Sequence, residues 1–374
     1  MSDEPSRVYY IDNVRVLLTC LVVLHHLAIT YGAPGDWYYK DAHTSEFATL
    51  VLLPFVATNS AFFMGFFFLI AAYFTPVSLA RKGVGRFLGD RFLRLVIPLL
   101  FYALVVNPII GMVIGVHDHG VEGSYADYLG QYYADWVHIG PMWFVLNLSI
   151  FTLVFVLVQR IRPMEIRGEP SPGPSLLATI ALALVLAAVT FFIRVQYPTG
   201  YQIPGLHLGL AKAPQYIAFF IIGILAGQRG WQGELSPRVV RFWSWTTRMV
   251  SPGLLVALAV IQPEDLSTVK GGLHWECFIY TIWDQTIAIG IILLLLNWFG
   301  KRCDRQGRLL RAAAADSYTV YIFHPLILVI LALCIRDIAL HPLAKFALLA
   351  PVALATCFCS AHLIRRLPFA RRIL

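Results

Sequence analysis

Apolar residues in this chain come in long blocks, not in the alternation of a half-buried strand. The blocks are Tyr10–Tyr31, Phe47–Phe74, Leu95–Val116, Met142–Val158, Leu176–Ile193, Ala213–Ala226, Met249–Ile261, Cys277–Phe299, Tyr318–Ile335 and Ala344–Ile364. A helix rises about 1.5 Å per residue and needs ~20 apolar residues to cross hydrocarbon. The pattern therefore predicts an all-α polytopic membrane protein with about ten transmembrane helices, in one membrane-embedded domain over residues 1–374. Ala213–Ala226 and Met249–Ile261 are short for a span, so they must borrow flanking residues or be partly re-entrant. The Pro/Gly-rich stretch Arg162–Ser175 reads as a flexible connector. No soluble extracytoplasmic domain and no cleavable signal are expected.

Composition agrees with the pattern: 374 residues are 58% hydrophobic and 13% charged, with a mean hydropathy of +0.70. Soluble domains are nearer a quarter charged. Charge adds orientation. With ten spans, 23 of the 29 Lys and Arg residues fall on the side holding both ends of the chain. The other six are Lys40, Arg194, Lys212, Lys270, Arg336 and Lys345. Basic residues accumulate on cytoplasmic loops, so both termini are expected in the cytoplasm. The net charge of +8 is then a topology signal, and nucleic acid is not an expected partner. The six cysteines show no CxxC pair and no disulfide-type spacing.

Polar residues that interrupt the blocks mark candidate chemistry, because ionisable groups inside a span are costly and usually face a bundle interior. The first block carries Asp12, Arg15, His25 and His26. Arg15 and His26 are eleven residues apart, which is about 16 Å of rise and roughly 20° from one helix face. His25 is turned ~100° away, so His26 alone shares the Arg15 stripe. Histidine is the side chain best suited to take a proton near neutral pH. Arg91 and Arg94, three apart in a helix, would present forked donors to phosphate together. Asp284, about seven residues into the eighth block, could orient a histidine, bind an acceptor hydroxyl or pair with another span's polar group. Pro325 frees a carbonyl one turn back, a place that His324 could occupy. The outward loop His117–Pro141 holds His117, Asp118, His119, Asp127, Asp135 and His138 among aromatics. It suits a sugar-binding mouth better than a metal, and no metal site is expected.

These motifs resemble the acyltransferase-3 family of bacterial membrane acyltransferases over nearly the whole chain. Tyr10-Ile-Asp12-Asn13-Val-Arg15 followed by His25-His26 is similar to the family's opening, an arginine, ten residues and a histidine. Arg91-x-x-Arg94 is similar to its paired-arginine motif. Gly140-Pro-Met-Trp143-Phe144 and Ser317-Tyr-Thr-Val-Tyr321-Ile-Phe-His324 resemble its fourth-span and late-span signatures. The stretch Tyr73–Gly83 looks closest to the glucan-modifying branch. Ala71-Ala72 stands where many members have a Ser-Gly pair.

The resemblance implies a multi-pass protein of the bacterial inner membrane with no permanently bound cofactor. Its donor would be acyl-CoA (acetyl-CoA or succinyl-CoA), its acceptor a carbohydrate or glycolipid hydroxyl, its surroundings the lipid bilayer. His26 would be the general base, with Arg15 and Asp12 in the catalytic motif. Arg15, Arg91 and Arg94 would hold donor phosphates, and Trp143, Asp284, His324 and His25 would line the substrate site. A carrier of a small polar or anionic solute is the alternative, since short helices with buried polar groups also describe transporters.

Overall fold

The computed structural model describes residues 8–43, 45–118, 125–134, 138–163, 172–231, 234–253 and 267–374. Among them, nine helical segments are long and apolar enough to span a bilayer. In chain order the helices begin with α1 (Tyr9–Thr30), α2 (Glu46–Tyr73) and its continuation α3 (Thr75–Lys82). The next segment is built of α4 (Val84–Arg91), α5 (Ile97–Phe101) and α6 (Asn107–Asp118), joined by π-helical stretches at Phe92–Val96 and Tyr102–Val106. Then come α7 (Tyr125–Ala134), α8 (Trp143–Ile161), α9 (Leu176–Gln196), α10 (Ala213–Gln228) and α11 (Pro237–Val250). The chain closes with α12 (Ser267–Lys270), α13 (Trp275–Arg302), α14 (Arg308–Cys334), α15 (Pro342–Ile364) and α16 (Ala370–Ile373). The strands among the described residues are a two-residue antiparallel pair, Gln202–Ile203 against Leu208–Gly209.

The architecture is all-α and polytopic, as the hydropathy blocks require. The short sixth block does borrow flanking residues: a 3₁₀ turn at Leu210–Lys212 extends it to the 19-residue segment Leu210–Gln228. Most of the expected span Met249–Ile261, most of the connector 162–175, and Arg7, His119 and Asp135 lie outside the described residues. Two stretches between the apolar blocks are also helical. Residues 75–91 form α3 and α4, and between them Gly83 has a positive φ of +71°, which suits a residue without a Cβ. Residues 237–250 form the amphipathic α11, in which Trp243 is 2% exposed and donates from Nε1 to Thr179 Oγ1 at 2.9 Å.

The chain divides into two compact units, one of Met1–Arg15, Ser60–Phe87 and Ile150–Leu310, the other of Val16–Asn59, Leu88–Ser149 and Arg311–Leu374. In the first unit, Gly223 and Gly227 let α10 meet α2 backbone to backbone. A Cβ on Gly223 would stand 2.3 Å from Leu69 O, and one on Gly227 2.0 Å from Tyr73 O. Such small-x-x-x-small spacing is how membrane helices approach closely. The same unit holds a buried ion cluster. Asp284 accepts from Arg194 Nη2 at 2.9 Å and from Lys212 Nζ at 2.6 Å, while Arg194 Nη1 donates to Thr281 Oγ1 at 2.9 Å.

In the second unit, prolines determine much of the hydrogen bonding. A proline has no N–H, so the carbonyl four residues earlier loses its helical donor. Pro98 frees Arg94 O, which accepts from Tyr318 Oη at 2.7 Å. Pro108 frees Leu104 O, which accepts from Tyr133 Oη at 2.5 Å. Pro325 frees Tyr321 O, and His324 Nδ1 bonds it at 2.7 Å, as the sequence suggested. A π-helical stretch precedes each of Pro98 and Pro108.

The loop after α1 is fastened in the same unit by a buried pair, Lys345 Nζ to Asp41 Oδ2 at 2.7 Å. Three of the six basic residues counted on the outer side, Arg194, Lys212 and Lys345, are thus bonded to buried carboxylates. Burial alone would raise the Asp41 carboxyl. The bonds from Lys345 and from the His43 backbone and ring outweigh it and hold Asp41 below its ordinary value. A depressed carboxylate stabilises the fold above its unfolded value of about 3.9, and that contribution is lost as pH falls through the lower folded value. Thermal unfolding in detergent should therefore keep this contribution at neutral pH and lose it only below about pH 4. Asp41→Asn should flatten the acid arm; an unchanged acid arm in that variant would remove the pair from the pH dependence.

Candidate active site

Helix α1 is regular from Tyr9 to Thr30, so the eleven-residue step from Arg15 to His26 keeps its helical geometry. The start of the helix is held from outside its own sequence. Tyr10 N donates to Asp304 Oδ1 at 3.0 Å, and Asn13 Nδ2 donates to Cys303 O at 2.5 Å and Arg305 O at 3.1 Å. Gln306 Nε2 donates to Asn13 Oδ1 at 2.9 Å. Asp12 pairs with Arg15 at 3.0 Å, one turn apart, with the Arg15 side chain 35% exposed. The opening motif thus divides into an anchor, Asn13, and a paired cation, Arg15.

The two histidines differ as their rotation about the helix requires. His25 is 6% exposed, whereas His26 is only half-buried. Their rings meet edge-on with centroids 5.3 Å apart. His26 stacks on Trp37 at 3.8 Å and 15°, and the His324 ring centroid is 5.3 Å away with its plane within 23° of the His26 plane. Trp37 and His324 are 5.9 Å apart and nearly parallel. These three separations make nearly a right angle at His26, so Trp37 covers the face of that ring and His324 lies alongside it. His26 Nδ1, His324 Nε2 and Trp37 Nε1 are all buried with no hydrogen-bond partner among the described residues.

Next to Trp37 runs a chain of neutral hydroxyl and amide groups. Tyr38 Oη donates to Asn107 Oδ1 at 2.5 Å and lies 2.8 Å from Tyr102 Oη. Asn107 Nδ2 donates to Tyr132 Oη at 2.9 Å, which donates to Ala103 O at 2.9 Å. Burial holds the Tyr38 phenol well above its ordinary range, so it remains a hydroxyl. Gly140 explains its place in the fourth-span motif: its φ is +46°, and a Cβ there would stand 1.9 Å from Tyr38 Oη. The next residue, Pro141, offers its carbonyl to Tyr321 Oη. Motif residues from the fourth and late spans therefore meet around Tyr38 and Tyr321.

The other expected site residues have partners of their own. Trp143, in the first turn of α8, packs edge-on against Phe144, which packs on Tyr321. Asp284 belongs to the first unit and is bonded to Arg194 and Lys212, not to a histidine. Arg91 and Arg94 lie in the second unit, but the π-helical stretch begins between them. A π turn spreads the step per residue, so the two are less aligned than an α-helix would make them. Arg91 is half-buried and Arg94 exposed. His117 Nδ1 bonds Val113 O at 2.9 Å. Among the described residues no group of three or more metal-ligating side chains comes together.

Trp37, Tyr38, Tyr102 and Asn107 were not singled out from the sequence. The available signal was the run Trp37-Tyr38-Tyr39 immediately after a histidine-bearing span, where a loop would ordinarily be polar.

Comparison with known proteins adds to this geometry. Residues 8–362 match the family model of the acyltransferase-3 type, described as an acyltransferase domain. Similar curated proteins include the glucans biosynthesis protein C of Salmonella heidelberg (strain SL476), 27% identical over 235 residues. The protein of the same name from Salmonella gallinarum is 27% identical over 237 residues. Each alignment covers 60% of this chain and 60% of the relative's length.

Proposed function

The chain belongs to the acyltransferase-3 family, and from that premise we propose that it is a membrane O-acyltransferase of the bacterial inner membrane. It takes an acetyl or succinyl group from a cytoplasmic acyl-CoA and delivers it to a hydroxyl of an extracytoplasmic glycan or glycolipid. The name of the relatives, glucans biosynthesis protein C, favours a glucan acceptor. The observation that carries the reading is His26: a half-buried imidazole in the first span, with a nitrogen that has no partner among the described residues, under an aromatic cover.

In the proposed step, a ring nitrogen of His26 removes the acceptor's hydroxyl proton as the oxygen attacks the thioester carbonyl carbon. The tetrahedral intermediate collapses with cleavage of the C–S bond. The imidazolium returns its proton to the departing CoA thiolate, so ester and free thiol are the products. Such acid–base assistance typically contributes 10²–10⁴-fold. Donor phosphates bind at Arg91 and Arg94. Replacing Arg91 or Arg94 by alanine should weaken donor binding by about 1–3 kcal/mol, the scale of a charge-assisted hydrogen bond. Lysine should rescue only in part because it lacks the planar fork.

The reading is tested with purified protein in oriented vesicles. Acyl-CoA on the cytoplasmic face should release CoA thiol and modify a glucan confined to the opposite face. The reverse arrangement should fail. Acceptor modification only when both substrates share one compartment would end the transmembrane part of the proposal. No thiol release under any arrangement would end the acyltransferase reading and return the carrier alternative.

A further inference from the structure

Among the imidazoles of the stack, His324 has its tautomer determined by the backbone. Pro325 removes the N–H that would have bonded Tyr321 O, and His324 Nδ1 takes that acceptor at 2.7 Å. A carbonyl can only accept, so the proton is on Nδ1 and Nε2 carries a lone pair. His324 is 0% exposed, and its Nε2 has no partner among the described residues. Leaving such an acceptor buried and unsatisfied costs about 1–3 kcal/mol. The Tyr321 carbonyl accounts for Nδ1, since a leucine would leave it without this donor, but it does not account for the bare Nε2. The cost therefore calls for a second function of the ring.

The partner it lacks is next to it. His26 Nδ1 is likewise buried without a partner. The two rings lie alongside, within 23° of parallel, with centroids 5.3 Å apart. Side-by-side imidazoles at that separation bring facing nitrogens to about 3 Å, within hydrogen-bond range. We propose that His324 is the positioning residue of the base, its Nε2 accepting a hydrogen bond from His26 Nδ1–H. That bond completes when the His26 ring turns about its Cβ–Cγ axis to face its neighbour. It would fix the His26 tautomer with the lone pair on Nε2, directed at the acceptor hydroxyl. The sequence of donors runs from hydroxyl to His26, from His26 to His324, and from His324 to the Tyr321 carbonyl. A neutral imidazole thus takes the orienting place that a carboxylate holds beside many catalytic histidines. Trp37, stacked at 3.8 Å, restrains the ring from leaving that plane. The inference rests on His26 being the base.

The test uses full-length protein and the thiol-release assay, with ¹⁵N-histidine spectra of wild type and variants. His324→Leu should lower kcat by about 100-fold or more while KM for acyl-CoA stays within about twofold. His324→Gln, whose carboxamide oxygen can accept the same bond, should recover at least tenfold of that loss. In wild type His26 should be the Nδ1–H tautomer, and in His324→Leu that preference should disappear. A kcat in His324→Leu within about threefold of wild type, or a change confined to KM, overturns the inference. If His324→Leu fails to fold, an Nε2–H tautomer of His26 in wild type overturns it equally. The two layers separate cleanly: an active His26→Ala removes the base itself, whereas an inactive His26→Ala beside a fully active His324→Leu removes only the positioning role.

Discussion

His26→Ala should abolish acyl transfer while leaving the protein folded and inserted. Removing a general base costs typically 10²–10⁴-fold, and no other group with an assigned proton-accepting role replaces it in the proposed step. His25→Ala should cost far less. The reason is geometric: one residue of helix turns a side chain by ~100°, and that rotation leaves His25 at 6% exposure while His26 faces Trp37 and His324. Steady-state thiol release on both variants, with thermal unfolding as the folding control, decides it. Equal and complete loss from the two changes, or a fully active His26→Ala, would sink the assignment.

Asp284→Asn should destabilise the protein by about 3–5 kcal/mol, the usual consequence of removing one member of a buried pair. Its carboxylate is 0% exposed and is bonded to Arg194, also 0% exposed, and to Lys212, 14% exposed. Without the carboxylate, two cations remain in a low-dielectric interior. Arg194→Met with Lys212→Met in the Asp284→Asn background should restore much of the lost stability, since apolar replacements of a buried ion cluster are often neutral. Melting temperatures in detergent measure this. An unchanged melting temperature with a raised acceptor KM would instead give Asp284 a direct part in substrate binding.

Several features were legible from residue order because they depend on local rules. Helical rotation separated His26 from His25, and the missing N–H of Pro325 pointed His324 at a carbonyl that it does bond. The sixth span's need for extra length followed from hydrocarbon thickness and was met by Leu210–Lys212. The alignment of Arg91 with Arg94 was less reliable, because the expectation assumed an α-helix. The stretch Phe92–Val96 is π-helical, and Arg94 O bonds a tyrosine from a distant span.

Hydropathy, basic-residue bias and the polar stripe of the first span determined the class of this protein: a polytopic α-helical membrane protein with a candidate proton acceptor in α1. Those are properties of single helices, and a helix's length and facing follow from its own sequence. Tertiary structure alone decided that Trp37 covers His26, that Gly140 makes room for Tyr38, and that Asp41 and Asp284 hold the buried cations Lys345, Arg194 and Lys212. All but the first of these join residues far apart in the chain. Inside a bilayer the backbone polar groups must be satisfied within the protein, whereas the partner a buried side chain meets depends on how the helices pack.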